Sequence, residues 1–477
     1  MVESPVNRAS TVLNPRALSK RPMKARFAFL LPVAAAAACA PSVETRPTPA
    51  IQSAQWSVQP VALTGPAHRP ELGTALGDPQ LQRLLALAAS RNTDVAVAAA
   101  RIQRARSELG IARASMLPVV TASAGLARTE TDNRGGPVFN FAQGFAGLDV
   151  SYDLDLFGAE SAGRRAARAR LAAVTFDRDA AALVAETETA RAYVQHAALA
   201  DRIALLDTNI ASARELERIV GVRLRLGDAT RVDTGLQAIQ VRQLEAERLR
   251  LAEALARTRN AVAVLVGEEA PLFRLEPASL SAFDLPAIAA VQPGELLVRR
   301  PDVRAAEARI AAAQGDIARA RAAFLPRIRL SASALGQAAS IGGPLGATLS
   351  IGSDLLAPVF NRRRLRGDLG VAAATQAESV ELYRGALLQA LAEGENALNS
   401  VEQSRARESV LESIVAEAET TARLARLQYL EGAADLQWVL DAEQLLVRAR
   451  DARAIARQER LEAAIDLYKA LGGSPRA

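Results

Sequence analysis

Between residues 119 and 157 hydrophobic and polar side chains alternate. Leu148, Val150, Tyr152, Leu154 and Leu156 fall on one side of an extended chain, and Gly147, Asp149, Ser151, Asp153 and Asp155 fall on the other. That is the period of two of a β-strand. The run Val119 to Thr129 precedes it, with Asp132-Asn133-Arg134-Gly135-Gly136-Pro137 as the turn. A second pair follows over 327–357. There Ile328, Leu330, Ala332 and Ala334 oppose Arg327, Arg329, Ser331 and Ser333; after Gly342-Gly343-Pro344, Ala347, Leu349 and Ile351 oppose Thr348, Ser350, Gly352 and Asp354. Each strand has about ten or more residues, enough to cross a bilayer when tilted. Two amphipathic hairpins can also cover a soluble core, but here the remaining chain is committed to long helices. Four strands cannot close a barrel, for which about eight is the practical minimum. The chain must therefore oligomerise or leave unpaired strand edges in lipid.

Elsewhere the period lengthens. Val138 to Ala270 and Val359 to Ser474 contain no proline, and Phe176, Ala180, Leu183, Thr187, Ala190, Val194 and Ala197 recur at steps of four and three. Val380, Tyr383, Leu387, Ala390, Gly394, Ala397 and Val401 do the same. These are coiled-coil steps with small seam residues. Roughly 66 residues from Ser161 to Leu226 make a rod of about 100 Å. The helices expected over 80–115 and 232–266 are each near half that length and would match it if stacked end to end; 293–323 with 436–471 would match 363–430. The halves repeat one another: Asn92-Thr93-Asp94-Val95, Arg101-Ile102 and Leu117-Pro118 recur as Arg300-Pro301-Asp302-Val303, Arg309-Ile310 and Leu325-Pro326, at a constant offset of 208 residues. The expected fold is mostly α with a membrane β-barrel, a long coiled-coil helical barrel plus four strands per protomer, internally duplicated.

Composition narrows the chemistry. Half of the 477 residues are hydrophobic but only 4% are aromatic, so the apolar content favours helices over thick cores. Lys+Arg 58 against Asp+Glu 52 gives a formal charge of +6, carried by Arg and Glu interspersed along helices, which reads as a solvated face and not as a nucleic-acid surface. One Cys and two His leave almost no stock for a metal site, a disulfide framework or a Cys/His catalytic pair. His68 and His196 read as surface residues. No nucleophile-elbow, zinc-protease or phosphate-loop motif is present, so neither a cofactor nor an enzymatic activity is expected.

The N-terminus reads as an address. Met23-Lys24-Ala25-Arg26, the apolar stretch Phe27 to Ala38 and then Cys39 form a signal sequence, too short to span a membrane as a helix. Residues 1–38 are the expected signal peptide, with Met23 a candidate true start. Cys39 resembles the lipid-accepting cysteine of a bacterial lipoprotein, although Ala36 stands where such signals usually carry Leu. Ala40 after it resembles an outer-membrane sorting signal. Residues 39–77, rich in Pro and Thr, read as a lipid-anchored tether, and Asp78-Pro79 opens the first helix.

Taken in order, Asp78-Pro79-x-Leu81, Asn92-x-Asp94-Val95, Leu117-Pro118, Tyr152-x-Leu154-Asp155-Leu156-Phe157-Gly158, Ala357-Pro358-Val359-Phe360, Tyr429-x-x-Gly432 and Val439-Leu440-Asp441-Ala442 resemble the TolC-like outer-membrane efflux family, in its NodT-type lipoprotein branch. The resemblance spans Asp78 to Gly473. It implies a homotrimer with a twelve-stranded barrel and a periplasm-crossing helical tunnel. It also implies a periplasmic adaptor protein and an inner-membrane efflux pump of the resistance-nodulation-division class, serving multidrug resistance. The repeats then run 78–267, with a hairpin at 119–157, and 293–473, with a hairpin at 327–357. A linker at 268–292 joins them and 474–477 is a tail.

By the same resemblance, Gly227, Asp228, Gly432 and Ala433 are the hairpin tips that meet the adaptor. Asp441, Asp435, Asp233 and Tyr429 form the periplasmic gate. Trp438 stands where some relatives carry a further Asp, and Ala434 where a latching Arg is usual, leaving Arg231 as a substitute. Glycine at a tip is also the ordinary helix terminator, and an aspartate there an ordinary N-terminal charge. Arg164, Arg165, Arg168 and Arg170 follow one hairpin, and Arg362, Arg363, Arg364 and Arg366 the other. Cations oppose the dipole at a helix N-terminus, so either outer-membrane lipid phosphates or nearby carboxylates must answer them. A channel for protein or polysaccharide secretion would use the same scaffold. A periplasmic coiled-coil adaptor is the reading from another class, and the two strand pairs weigh against it.

Overall fold

A computed structural model of the chain describes residues 45–47, 49, 55–57, 71–131, 139–285, 292–338 and 344–473. The signal segment, Cys39, His68, both Gly-Gly turn dipeptides and the tail 474–477 lie outside the described residues.

The two hairpins form one antiparallel sheet in the order β1 (Val119–Thr131), β2 (Phe139–Leu154), β3 (Arg327–Ala338), β4 (Leu345–Leu356). Its register carries the alternation of each strand across all four. Val120, Val150 and Ala332 stand side by side with Ile351, and Ala122, Leu148 and Ala334 with Leu349, on one face. Ser151 stands beside Ser331, and Arg329 between Asp153 and Asp354, on the other. A one-residue slip would scramble both faces. Arg329 grips Asp153 through two bonds of 2.7 and 3.2 Å. The strands stop short of 157 and 357. The Asp155 carboxylate accepts the Glu160 and Ser161 amides at 3.0 and 2.8 Å, so it starts the next helix instead of extending the strand.

Nine of the described helices matter here: α1 (Leu72–Ala75), α2 (Pro79–Arg91), α3 (Thr93–Ala114), α4 (Ala159–Leu226), α5 (Arg231–Leu265), α6 (Pro293–Arg299), α7 (Pro301–Ala322), α8 (Arg362–Leu430) and α9 (Leu436–Ala470). With 68 and 69 residues, α4 and α8 are each about 100 Å long. In place of the single helices expected over 80–115 and 293–323 there are two each, broken at Asn92 and Arg300. The Asn92 side-chain oxygen Oδ1 accepts the Asp94 and Val95 amides, capping α3 where α2 ends. Arg300 precedes Pro301, whose ring drives the preceding residue out of the helical region; its φ is −68° and ψ 123°.

These breaks are the joints of the stacked rods. Asn92 Nδ2 donates to the carbonyl of Leu265, the last residue of α5, at 2.9 Å. At the equivalent place Arg300 Nη1 reaches the carbonyl of Ala470, the last residue of α9, at 3.4 Å, while pairing with Glu393 and Asp302 at 2.7 Å. Each returning helix thus ends where a short helix begins. Gly267 turns the chain away at φ +71°, where a Cβ would collide with the Arg91 carbonyl.

The main apolar core surrounds these joints, with Leu72, Leu76, Tyr193, Leu296, Leu461 and Ile465 within it. Two expectations change there. The tether does not remain free up to residue 77: Leu72 and Leu76 are fully buried, and Trp56 packs against the core. Arg46 bonds Gln376 and pairs with Glu381, fixing an upstream stretch along α8. The segment after α5 is likewise part of the core through Phe273, Leu280 and Phe283. His196 is not a surface residue; it is buried with Nδ1 3.2 Å from Thr258 Oγ1.

Candidate functional site

At the end of the rods away from the sheet, two tight turns lie side by side. Gly227 at φ +89° ends α4, with the Asp228 amide donating to the Arg223 carbonyl at 2.9 Å; Gly432 at φ +76° ends α8, with the Ala433 amide donating to the Gln428 carbonyl at 2.8 Å. Both are left-handed caps that only glycine adopts without cost. Thr230 and Asp233 then form a reciprocal capping box at the start of α5, with bonds of 2.8 and 3.2 Å.

One side chain joins the two turns. Arg223, in the last turn of α4, stacks its guanidinium 4.3 Å from the centre of the Tyr429 ring. Its Nη2 also donates to the carbonyls of Tyr429 and Leu430 at 2.9 and 3.0 Å, which are among the orphan acceptors at the end of α8. Tyr429 is buried with Leu216, Val220, Leu436, Val439 and Leu440. The tip is therefore an apolar knot tied by a cation.

Of the residues expected at the gate, Asp233, Tyr429 and Asp435 line one cleft of about 600 Å³ together with Arg223 and with Asp228 and Gly432 of the expected tips. Asp233 spends its carboxylate on the capping box. Asp435 occupies the cap position of α9 without a side-chain cap bond. Asp441 is not in this cleft; it is exposed on α9 and accepts from Gln437 Nε2 at 3.0 Å. Asp435, Trp438 and Asp441, all exposed, follow at intervals of three and share a helix face. Ala433 lies in the α8–α9 turn but outside the residues lining the cleft. The Arg231 guanidinium makes no hydrogen bond or ion pair among the described residues, and only its carbonyl accepts, from Thr234 Oγ1. The arginine that bridges the two turns is Arg223, which no motif of the sequence singled out.

Further up the rods, α4, α5, α8 and α9 enclose a groove of about 660 Å³, with Leu244, Leu427 and Leu446 beside Arg423, Arg426 and Glu443. Burial pushes the Glu443 carboxyl above its ordinary range, and the nearby Arg426 charge only partly offsets this.

At the sheet end, Arg170 pairs with Asp316, and Arg364 lies 3.9 Å from Asp368. Arg164, Arg165, Arg362 and Arg363 have no carboxylate in pairing distance among the described residues, and Arg164, Arg165 and Arg363 are exposed. The anion answering the α4 N-terminus is Asp155. Burial works to raise its pKa, but the Ser161 hydroxyl and the amides of residues 159–161 hold it below the ordinary carboxylate value.

Two stretches, residues 84–268 and 292–473, match the family described as outer membrane efflux protein. The pyoverdine export outer membrane protein OpmQ of Pseudomonas aeruginosa is 33% identical over 415 residues, covering 84% of this chain and 86% of the relative. The solvent efflux pump outer membrane protein SrpC of Pseudomonas putida is 28% identical over 437 residues, covering 88% and 92%. The solved outer-membrane channel OprN superimposes with a TM-score of 0.84 at 27% identity, covering 91% of this chain and 99% of that one.

Proposed function

Since the chain belongs to the outer membrane efflux protein family, and is thus the outer-membrane channel of an efflux system and not an enzyme, we propose that it works as a homotrimeric, lipid-anchored conduit for small organic molecules. The observation that carries the trimer is the sheet. Its apolar face suits lipid and its polar face a water-filled bore, while β1 and β4 have no partner on their outer sides among the described residues. Three copies joined β4 to β1 give twelve strands, and closure removes every unpaired edge from the hydrocarbon.

Reach supports the anchor. Arg46 is held beside Gln376, about 14 residues or 21 Å along α8 from Arg362. About seven residues separate Cys39 from Arg46, and extended they span up to about 25 Å. A lipid on Cys39 could therefore reach the level of Arg362, Arg363 and Arg364. These residues, with Arg164 and Arg165, would meet phosphates of the inner leaflet.

At the far end the tips at Gly227, Asp228, Gly432 and Ala433 would meet a periplasmic adaptor that couples the channel to an inner-membrane pump. Asp435 and Asp441 would give the mouth negative charge that binds cations and resists closure. Arg223 on Tyr429 would keep the two hairpins of a protomer together in the resting state. The cargo is inferred as a class from relatives named for pyoverdine export and solvent efflux. Those names favour small molecules over secreted proteins. Deleting the gene and measuring accumulation of dyes, solvents and siderophores tests this reading. Retention of at least one class, reversed by complementation, is expected; unchanged small-molecule accumulation with an altered secretome would replace it by the secretion reading.

A further inference from the structure

Away from its base, the polar face of the sheet is lined mainly by small, hydroxyl and charged residues: Thr121, Ser123, Asp149, Ser151, Ser331, Ser333 and Ser350 among them. Among the side chains described, two large apolar ones interrupt it in the half remote from the helices. Phe145 lies opposite Gln337, and Leu335 opposite Gly147, so the two are diagonal neighbours across β2 and β3. Each leans over a glycine. A Cβ at Gly125, the direct partner of Phe145, would lie 2.6 Å from the phenyl ring. A Cβ at Gly147 would lie 3.0 Å from Leu335 Cδ1. Phe145 remains 39% exposed, so one side of its ring covers Gly125 while part of its surface stays open.

Covering a strand glycine with an aromatic ring protects the backbone beneath it. On the face of a barrel that turns inward, the same contact has a steric consequence. We propose that Gly125 and Phe145 together set the width of the upper bore: the glycine is the recess into which the ring folds, keeping a bulky apolar group against the wall. The pair, with Leu335 over Gly147, forms an apolar collar above the charged lower bore of Asp153, Arg329 and Asp354. Any side chain at position 125 lifts the ring into the path of the cargo and excludes bulky organic solutes before small ones. The inference rests on the polar face lining the bore, and not on which cargo is exported.

The test reads the barrel independently of the periplasmic mouth. Ser151→Cys, on the polar face nearer the helices than Phe145, is labelled from outside intact cells with maleimide-polyethylene glycols of graded size, against a chain without the added cysteine. Gly125→Ala is expected to lower the largest size that reacts, and Gly125→Ala combined with Phe145→Ala to restore it. Phe145→Trp, which overfills the recess without altering the backbone, should lower it as well and serves if the alanine variant does not assemble. An unchanged size limit in assembled Gly125→Ala and Phe145→Trp channels, or a lowered limit that removing the ring does not reverse, overturns the proposal. Labelling of Val150→Cys in place of Ser151→Cys would instead overturn the assignment of the bore itself.

Discussion

Replacing Arg223 with alanine isolates the tie between the hairpin tips. The lost stacking on Tyr429 contributes about 0.5–2 kcal/mol. The charge-assisted bond to the Tyr429 and Leu430 carbonyls contributes about 1.5–3 kcal/mol, counted once because a single Nη2 makes both contacts. Water reaches those carbonyls at the exposed tip, which limits the orphaning cost, so the local loss is about 2–4 kcal/mol, or roughly a 30- to 700-fold rise in the opening constant. Hydrogen exchange at Gly432 and Ala433 reads it directly, since their amides close the α8 turn onto Tyr429 and Gln428. Arg225→Ala is the control: Arg225 is a basic residue of the same last turn, so it shares the dipole effect of about 0.3–1 kcal/mol but lacks the contacts with Tyr429. Unchanged protection in Arg223→Ala, or an equal loss in Arg225→Ala, would refute the latch.

Four further outcomes test the rods. Gly315→Ala places a Cβ 2.9 Å from Ala166 Cβ and 3.1 Å from the Ala162 carbonyl; overpacking of about 1–3 kcal/mol outweighs the helix gain of about 1 kcal/mol, so the melting temperature by circular dichroism should fall. Gly110→Ala, with nothing within 4 Å, should instead stabilise by about 0.4–1 kcal/mol. Asn92→Ala removes a cap, at about 0.5–2 kcal/mol, and orphans the buried-side acceptor at Leu265, for a total of roughly 2–4 kcal/mol. Denaturant melts of the purified channel check it. Burial holds the His196 imidazole below its ordinary 6.5, with the Arg259 charge acting in the same direction. Above pH 6.5 both folded and unfolded states are neutral. As pH falls below that value the unfolded chain takes up a proton that the folded chain refuses, so stability declines until the folded pKa is reached. His196→Gln should flatten the melting temperature between about pH 7.5 and about pH 5; parallel curves for the two proteins would count against the assignment.

The alternation of residues 119–157 and 327–357, the heptad-like steps of the long helices and the 208-residue offset were readable because each is a local period imposed by backbone geometry. From them follow the strands, the rods, their duplication and the demand for partner copies. The tips were legible too, since a glycine past a long helical pattern marks its end. What the sequence left open depends on contacts through space. Asp233 serves its own helix cap, Asp155 answers the α4 dipole, and the upstream segment at Arg46 and Trp56 lies against the helices. His196 is buried, with Thr258 of another helix facing its imidazole. Asn92 and Arg300, unlike as residues, perform the same joint because each meets a helix end more than 165 positions away. Arg223 and Tyr429 are separated by 206 positions, so no local pattern could pair them. Periodicity fixes which side of an element is apolar, but only the packing of one element on another selects the partner for each polar atom that is left.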